Sequence, residues 1–117
     1  MPNKVATGLW GQRAAEMHLR HKGMSILCTN FRVRTGEIDL ITQDGAYIVF
    51  IEVKYRRGSA YGLPREAVSP AKQQRIRRTA LHYIAQKQLT DHDFRFDVVE
   101  VMHTEEGLVI NHIENAF

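Results

Sequence analysis

Cysteine is almost missing from this chain: Cys28 is the only one among 117 residues. That excludes an intrachain disulfide and a zinc site built on several thiolates. Long apolar runs are missing as well, and none approaches the roughly 20 residues that cross a bilayer. The first residues, Met1 to Gly8, lack the apolar stretch of a secretory signal. A cytoplasmic protein with no membrane partner is therefore expected. The six histidines offer no ligand set: His18 and His21 share a helix face and read as surface residues. Repeats and low-complexity segments are absent too. What is present is ordinary for one folded domain, 44% hydrophobic and 25% charged residues in a length sufficient to bury a core.

Charge is modest in sum, +3, but unevenly spread. From Lys54 to Arg78 the bases Lys54, Arg56, Arg57, Arg65, Lys72, Arg75, Arg77 and Arg78 face the single acid Glu66. From Asp91 onward acids dominate. A cationic middle of this kind can hold phosphates, although a charge run taken alone also reads as a solvated helix face.

Periodicity divides the chain into helix, three strands, helix and two strands. The first helix spans about Gly8 to Lys22, with Gly11, Ala15 and Leu19 along one side. Strands follow at Ser25 to Val33, Glu37 to Thr42 and Ala46 to Tyr55, the last nearly continuous in apolar residues and so expected at the centre of a sheet. Gly58 to Pro64 reads as a loop. Ser69-Pro70 is a helix start, Ser as cap and Pro at the first helical position, of a helix to about Gln88 with Ile76, Ala80, Tyr83 and Ile84 as its apolar stripe. Phe94 to Met102 and Leu108 to Ile113 read as closing strands joined near Glu106-Gly107. Helices packed on one sheet are expected.

Two of these strands carry acids where apolar residues would be cheaper to bury. In Gly36-Glu37-Ile38-Asp39-Leu40-Ile41, Glu37, Asp39 and Ile41 share a face. In Val49-Phe50-Ile51-Glu52-Val53-Lys54, Phe50, Glu52 and Lys54 do. If the strands pair through Thr42 to Gly45 in a register that sets Asp39 near Phe50, then Asp39, Glu52 and Lys54 lie on one side. Such carboxylates suit Mg²⁺, which takes a few carboxylate oxygens plus water and phosphate, and Lys54 could orient an attacking water. Spacing alone leaves open a metal-free ion-pair cluster. Lys72 and Gln73, at the start of the second helix, could meet a phosphate there or simply form a solvated first turn. Trp10 and Tyr61 read as packing residues with stacking on bases as the alternative.

These strings, together with Arg95-Phe96-Asp97-Val98-Val99 and Asn115-Ala116-Phe117, resemble the bacterial YraN-type family over nearly the whole chain. Its members are similar to restriction-endonuclease-like PD-(D/E)XK nucleases and to archaeal Holliday junction resolvases. The resemblance implies an α/β fold, a restriction-endonuclease-like central mixed sheet flanked by helices in a single domain. It also implies hydrolysis of phosphodiesters in nucleic acid, DNA before RNA, with Mg²⁺ or Mn²⁺. Asp39 and Glu52 correspond to the metal-binding acids and Lys54 to the catalytic lysine. Glu37 and Asp97 are candidate supports, each with a structural alternative. Arg56, Arg57, Lys72, Gln73, Arg75 and Arg78 are candidate nucleic-acid contacts, and resolvase-like action would suit a homodimer. The chain departs from the family at Gly11-Gln12, where a Gly-Glu pair is usual. Gln12 is neutral and a poorer Mg²⁺ ligand, and Glu16, one turn on, is the residue placed to substitute.

Overall fold

Val49, Phe50 and Ile51 are fully shielded from water, and a strand buried on both faces belongs in the middle of a sheet. The computed structural model describes residues 4–57 and 68–117, with side chains described for 10–56 and 68–117. The loop expected at Gly58 to Pro64, with Tyr61, lies outside the described residues, as does the side chain of Arg57. The elements are α1 (Lys4–His21), β1 (Ser25–Val33), β2 (Gly36–Asp44), β3 (Tyr47–Arg57), α2 (Pro70–Lys87), β4 (Asp93–Thr104) and β5 (Gly107–Ile113). They form one five-stranded sheet in the order β1-β2-β3-β4-β5. Only β3 and β4 run parallel, joined through α2; the other neighbours are antiparallel. This is an α/β fold, a central mixed sheet flanked by helices. No described helix is long and apolar enough to cross a membrane.

Each helix covers one face of the sheet. Ala15 and Leu19 of α1 pack with Leu40, Val49, Ile51, Val99 and Val101. Ile76, Ala80 and Tyr83 of α2 pack with Ile41, Ile48, Phe50 and Val98. Gly11 continues the α1 stripe because a β-carbon there would lie 2.9 Å from the Tyr55 ring. Ser69 caps α2 as expected: its hydroxyl accepts from the Lys72 amide at 3.2 Å, Pro70 follows, and Gln88 closes the helix in the left-handed region.

The β2–β3 hairpin differs from expectation in length and register. β2 continues to Asp44, which pairs with Tyr47, so the turn is Gly45-Ala46. Ile41, not Asp39, stands opposite Phe50. The two-residue difference preserves every side chain's face, since strands alternate with period two.

Alternation is broken in β1 by a register shift between Ile26 and Cys28, which pack on opposite faces, and again opposite the candidate site. Cys28 and Phe31 of β1 both face α2, as do Ile38 and Ile41 of β2, although each pair is three residues apart. Between them lies Asn30, at φ 52 in the left-handed region that asparagine tolerates better than most residues. The β1–β2 ribbon therefore turns over at Asn30 and Asp39.

Candidate active site

The ladder between β2 and β3 ends at the pair Leu40 and Ile51. One residue further on each strand stand Asp39 and Glu52. The Val53 amide donates to Asp39 Oδ2 at 2.8 Å, so a side chain takes the bond that the neighbouring backbone would have made. The two carboxylates are thereby drawn together where the strands part. Glu52 is only 6% exposed. Burial, and then the charge of Glu52, push the Asp39 carboxyl up to about 6; the Val53 hydrogen bond opposes them.

Cations come from two elements. The first turn of α2 brings Lys72 Nζ to Glu52 Oε1 at 2.6 Å. Burial disfavours the Lys72 ammonium, but the hydrogen bond to Glu52 and its charge outweigh that and raise its pKa. Lys54, two residues past Glu52 on the same face of β3, has its pKa lowered by burial and by the Lys72 charge. A cavity of about 280 Å³ opens here, lined by Gly36, Glu37, Asp39, Glu52, Lys72, Arg75 and Ile76. The positive end of α2 faces the same space, a favourable place for anions.

The remaining candidates divide. Glu37 lines the cavity, and a hydrogen bond from Asn30, then one from Arg32, hold its carboxyl below the usual range. Asn30 Nδ2 donates to Glu37 Oε1 at 3.0 Å, and Asn30 Oδ1 accepts from Gln12 Nε2 at 2.8 Å. Gln12 thus reaches the site through Asn30, its amide already engaged. Glu16, half-buried, is not among the cavity-lining residues. Gln73 is used locally, its side-chain amide donating to the Val68 carbonyl at 3.0 Å. Arg56 pairs with the buried Glu100, which lies beside Lys54 in the parallel register. Arg78 sits one turn beyond Arg75 in a separate shallow hollow with Thr35, Leu81 and His82.

Asp97 lies elsewhere. It stands level with Ile51 on the α1 face and is fully buried. Arg95, His112 and the Asn115 amide converge on it, with His112 Nε2 2.7 Å away. The single charged residue between Phe96 and Val98 is thus a clasp on the C-terminal segment, outside the cavity.

Sequence reasoning missed Asn30, Glu100 and the Lys72–Glu52 pair. Asn30 left no signal, because a lone asparagine within a strand pattern does not announce a positive φ. Glu100 had one, a carboxylate inside the apolar run Val98-Val99-Glu100-Val101.

The donor set suits a small hard cation. Asp39 Oδ1 and Glu52 Oε2 take no hydrogen bond from the described residues, and the two carboxylates lie close enough to repel. Among the described residues no group of three or more His, Cys, Asp or Glu gathers to hold a metal. Two carboxylates leave positions for water and phosphate, the usual habit of Mg²⁺.

The class defined here is an α/β domain whose mixed sheet parts to expose two facing acids, with lysines beside them. The chain belongs to the Uncharacterised protein family UPF0102, whose model matches residues 11–101. The UPF0102 protein of Alkaliphilus metalliredigens is 49% identical over 110 residues, 94% of this chain and 96% of the relative. That of Clostridium acetobutylicum is 48% identical over 117 residues, covering 98% and 95%. That of Syntrophus aciditrophicus is 46% identical over 117 residues, covering 100% and 92%.

Proposed function

We propose that this protein binds nucleic acid, DNA in the first instance, and hydrolyses its phosphodiester bonds with Mg²⁺ or Mn²⁺. The observation that carries this reading is the meeting of Asp39 and Glu52 at the parting of β2 and β3, with Lys54 two residues beyond Glu52. Asp39 and Glu52 would hold the cation through Oδ1 and Oε2. When bound, the cation lowers the pKa of water and neutralises charge building on the phosphate.

The chain's own groups supply the rest. Lys54, whose pKa is lowered by burial, is placed to orient the attacking water and to face the charge that develops on phosphate. Lys72 neutralises Glu52 in the free protein. From its place on the cavity wall the same ammonium would also meet a phosphate bound there. Arg75, exposed at the cavity wall, supplies a further phosphate contact.

The direct test is cleavage of labelled single-stranded, duplex, flap and four-way-junction substrates with Mg²⁺ or Mn²⁺. Wild-type protein should cleave at least one, and Asp39→Ala and Lys54→Ala should lose at least 100-fold in rate, on the order of one removed transition-state contact. Undiminished cleavage by Asp39→Ala would refute the assignment.

A second reading, a nucleic-acid-binding module without turnover, has one observation in its favour. Gln12 occupies the family's acid position and spends its amide on Asn30. On that reading the protein binds all four substrates, and added Mg²⁺ yields no product.

A further inference from the structure

Trp10, the only tryptophan, stands at the same end of the sheet as the candidate site but on the opposite face. Its ring meets Tyr55 edge-on, centroids 6.4 Å apart at 66°, and His103 at 5.7 Å and 60°. Tyr55 directly follows Lys54 in β3, so the two side chains project to opposite faces at one level. Gly11 seats α1 directly on the Tyr55 ring, which fixes the backbone beneath Trp10. The indole is thus held in position, yet it remains 47% exposed.

The surroundings favour a polyanion. On the solvent side of α1, Trp10, Arg13, Met17 and Arg20 recur at helical spacing, all exposed. The only acid in this helix, Glu16, is half-buried. Aromatic rings spaced among cations are what a single strand requires, a flat face for a base and charges for its phosphates. Within a base-paired duplex both faces of each base are already stacked, and only the two terminal pairs leave a face free.

We propose that Trp10, braced by Tyr55 and His103, stacks an unpaired base of the substrate, and that Arg13 and Arg20 follow its backbone along α1. The substrate class is then nucleic acid with a single-stranded segment next to the bond delivered to Asp39 and Glu52. This inference rests on the nucleic-acid reading above and narrows it.

A lone tryptophan makes the test direct. Its emission is followed while oligothymidylate, or a blunt duplex of equal length, is added in EDTA so that no cleavage occurs. Oligothymidylate should quench the emission saturably, and the duplex should do so far less. Trp10→Ala should weaken single-strand binding about tenfold, in keeping with the loss of one base stack. Trp10→Phe should recover most of it. Emission unchanged by oligothymidylate, or Trp10→Ala protein that binds as tightly as wild type, would overturn the proposal, and an acidic protein partner would become the better occupant.

The two readings fail separately. Metal-dependent cleavage lost in Asp39→Ala but untouched in Trp10→Ala would leave the active site standing without the stacking platform. Quenching with no cleavage of any substrate would leave the platform and remove the nuclease.

Discussion

Asp39 and Glu52 differ in what balances their charge. Glu52 has the Lys72 ammonium at 2.6 Å, whereas Asp39 has one backbone amide and a carboxylate neighbour. Replacing Lys72 with Met removes the ammonium bonded to a nearly buried acid. Lys72 is itself about one-third exposed, so the cost in the free protein should be about 1–2 kcal/mol, below that for a fully buried pair. The same change removes a competitor for Glu52 oxygen, so Mn²⁺ should bind Lys72→Met more tightly than wild type by isothermal calorimetry. Weaker binding would show that Lys72 shapes the cation site and does not compete for it. Proton competition follows from Asp39. A cation needs the ionised carboxylate, so metal affinity should be level above about pH 6 and fall tenfold per unit below it. Calorimetric titrations between pH 5 and 8 would measure that slope.

The elements matter through their ends and irregularities. The first turn of α2 is stationed above Glu52 by its Ser69 cap and by the crossover from β3 to β4. β1 and β2 turn over at Asn30, which brings Glu37 within its hydrogen-bonding reach. Asn30→Ala would lose the three side-chain hydrogen bonds to Gln12 and Glu37 and place alanine at a positive φ, a cost of about 2 kcal/mol. Asn30→Gly keeps the backbone at ease and should be the more stable of the two in urea unfolding. Equal stability would mean that the turn-over is not strained.

Much of this architecture could be read from residue order. Alternation placed Glu52 and Lys54 on one face, and Ser69-Pro70 marked the start of α2. The hairpin register was not legible, because a shift of two residues leaves every face unchanged and so leaves no trace in the pattern. The Lys72–Glu52 contact was not legible either. It joins residues 20 apart through the crossover, and only the packed angle of α2 on the sheet brings them together.

At the scale of the whole molecule, the half-buried Asp39 and the fully buried Asp97 lie on opposite faces and should respond oppositely to neutralisation. Asp97 is also penalised by burial, but the hydrogen bonds from His112, Arg95 and the Asn115 amide win and hold its carboxyl below the usual 3.8. Its stabilising contribution is therefore present above pH 3.8 and is lost only as pH falls further. Asp39, raised to about 6, behaves the other way. Its protonated form is favoured by folding, so this part of the stability is complete below 3.8, declines as pH rises, and is gone above about 6. Asp39→Asn should accordingly raise the stability of the metal-free protein at pH 7.5 by about 2 kcal/mol, several degrees in melting temperature. Asn can still accept from the Val53 amide. Asp97→Asn should lower stability by about 2–3 kcal/mol, because the buried Arg95 loses its buried anionic partner and keeps only the more exposed Asp44 and Glu114. Melting curves from pH 8 to pH 4 would separate the pair. Because His18, its pKa lowered by burial, loses stability over the same range, the difference is what counts: as pH falls through 6, wild type and Asp97→Asn should gain stability relative to Asp39→Asn. Destabilisation by both substitutions at pH 7.5 would mean that Asp39 is a structural acid like Asp97, with no charge held in reserve for a cation.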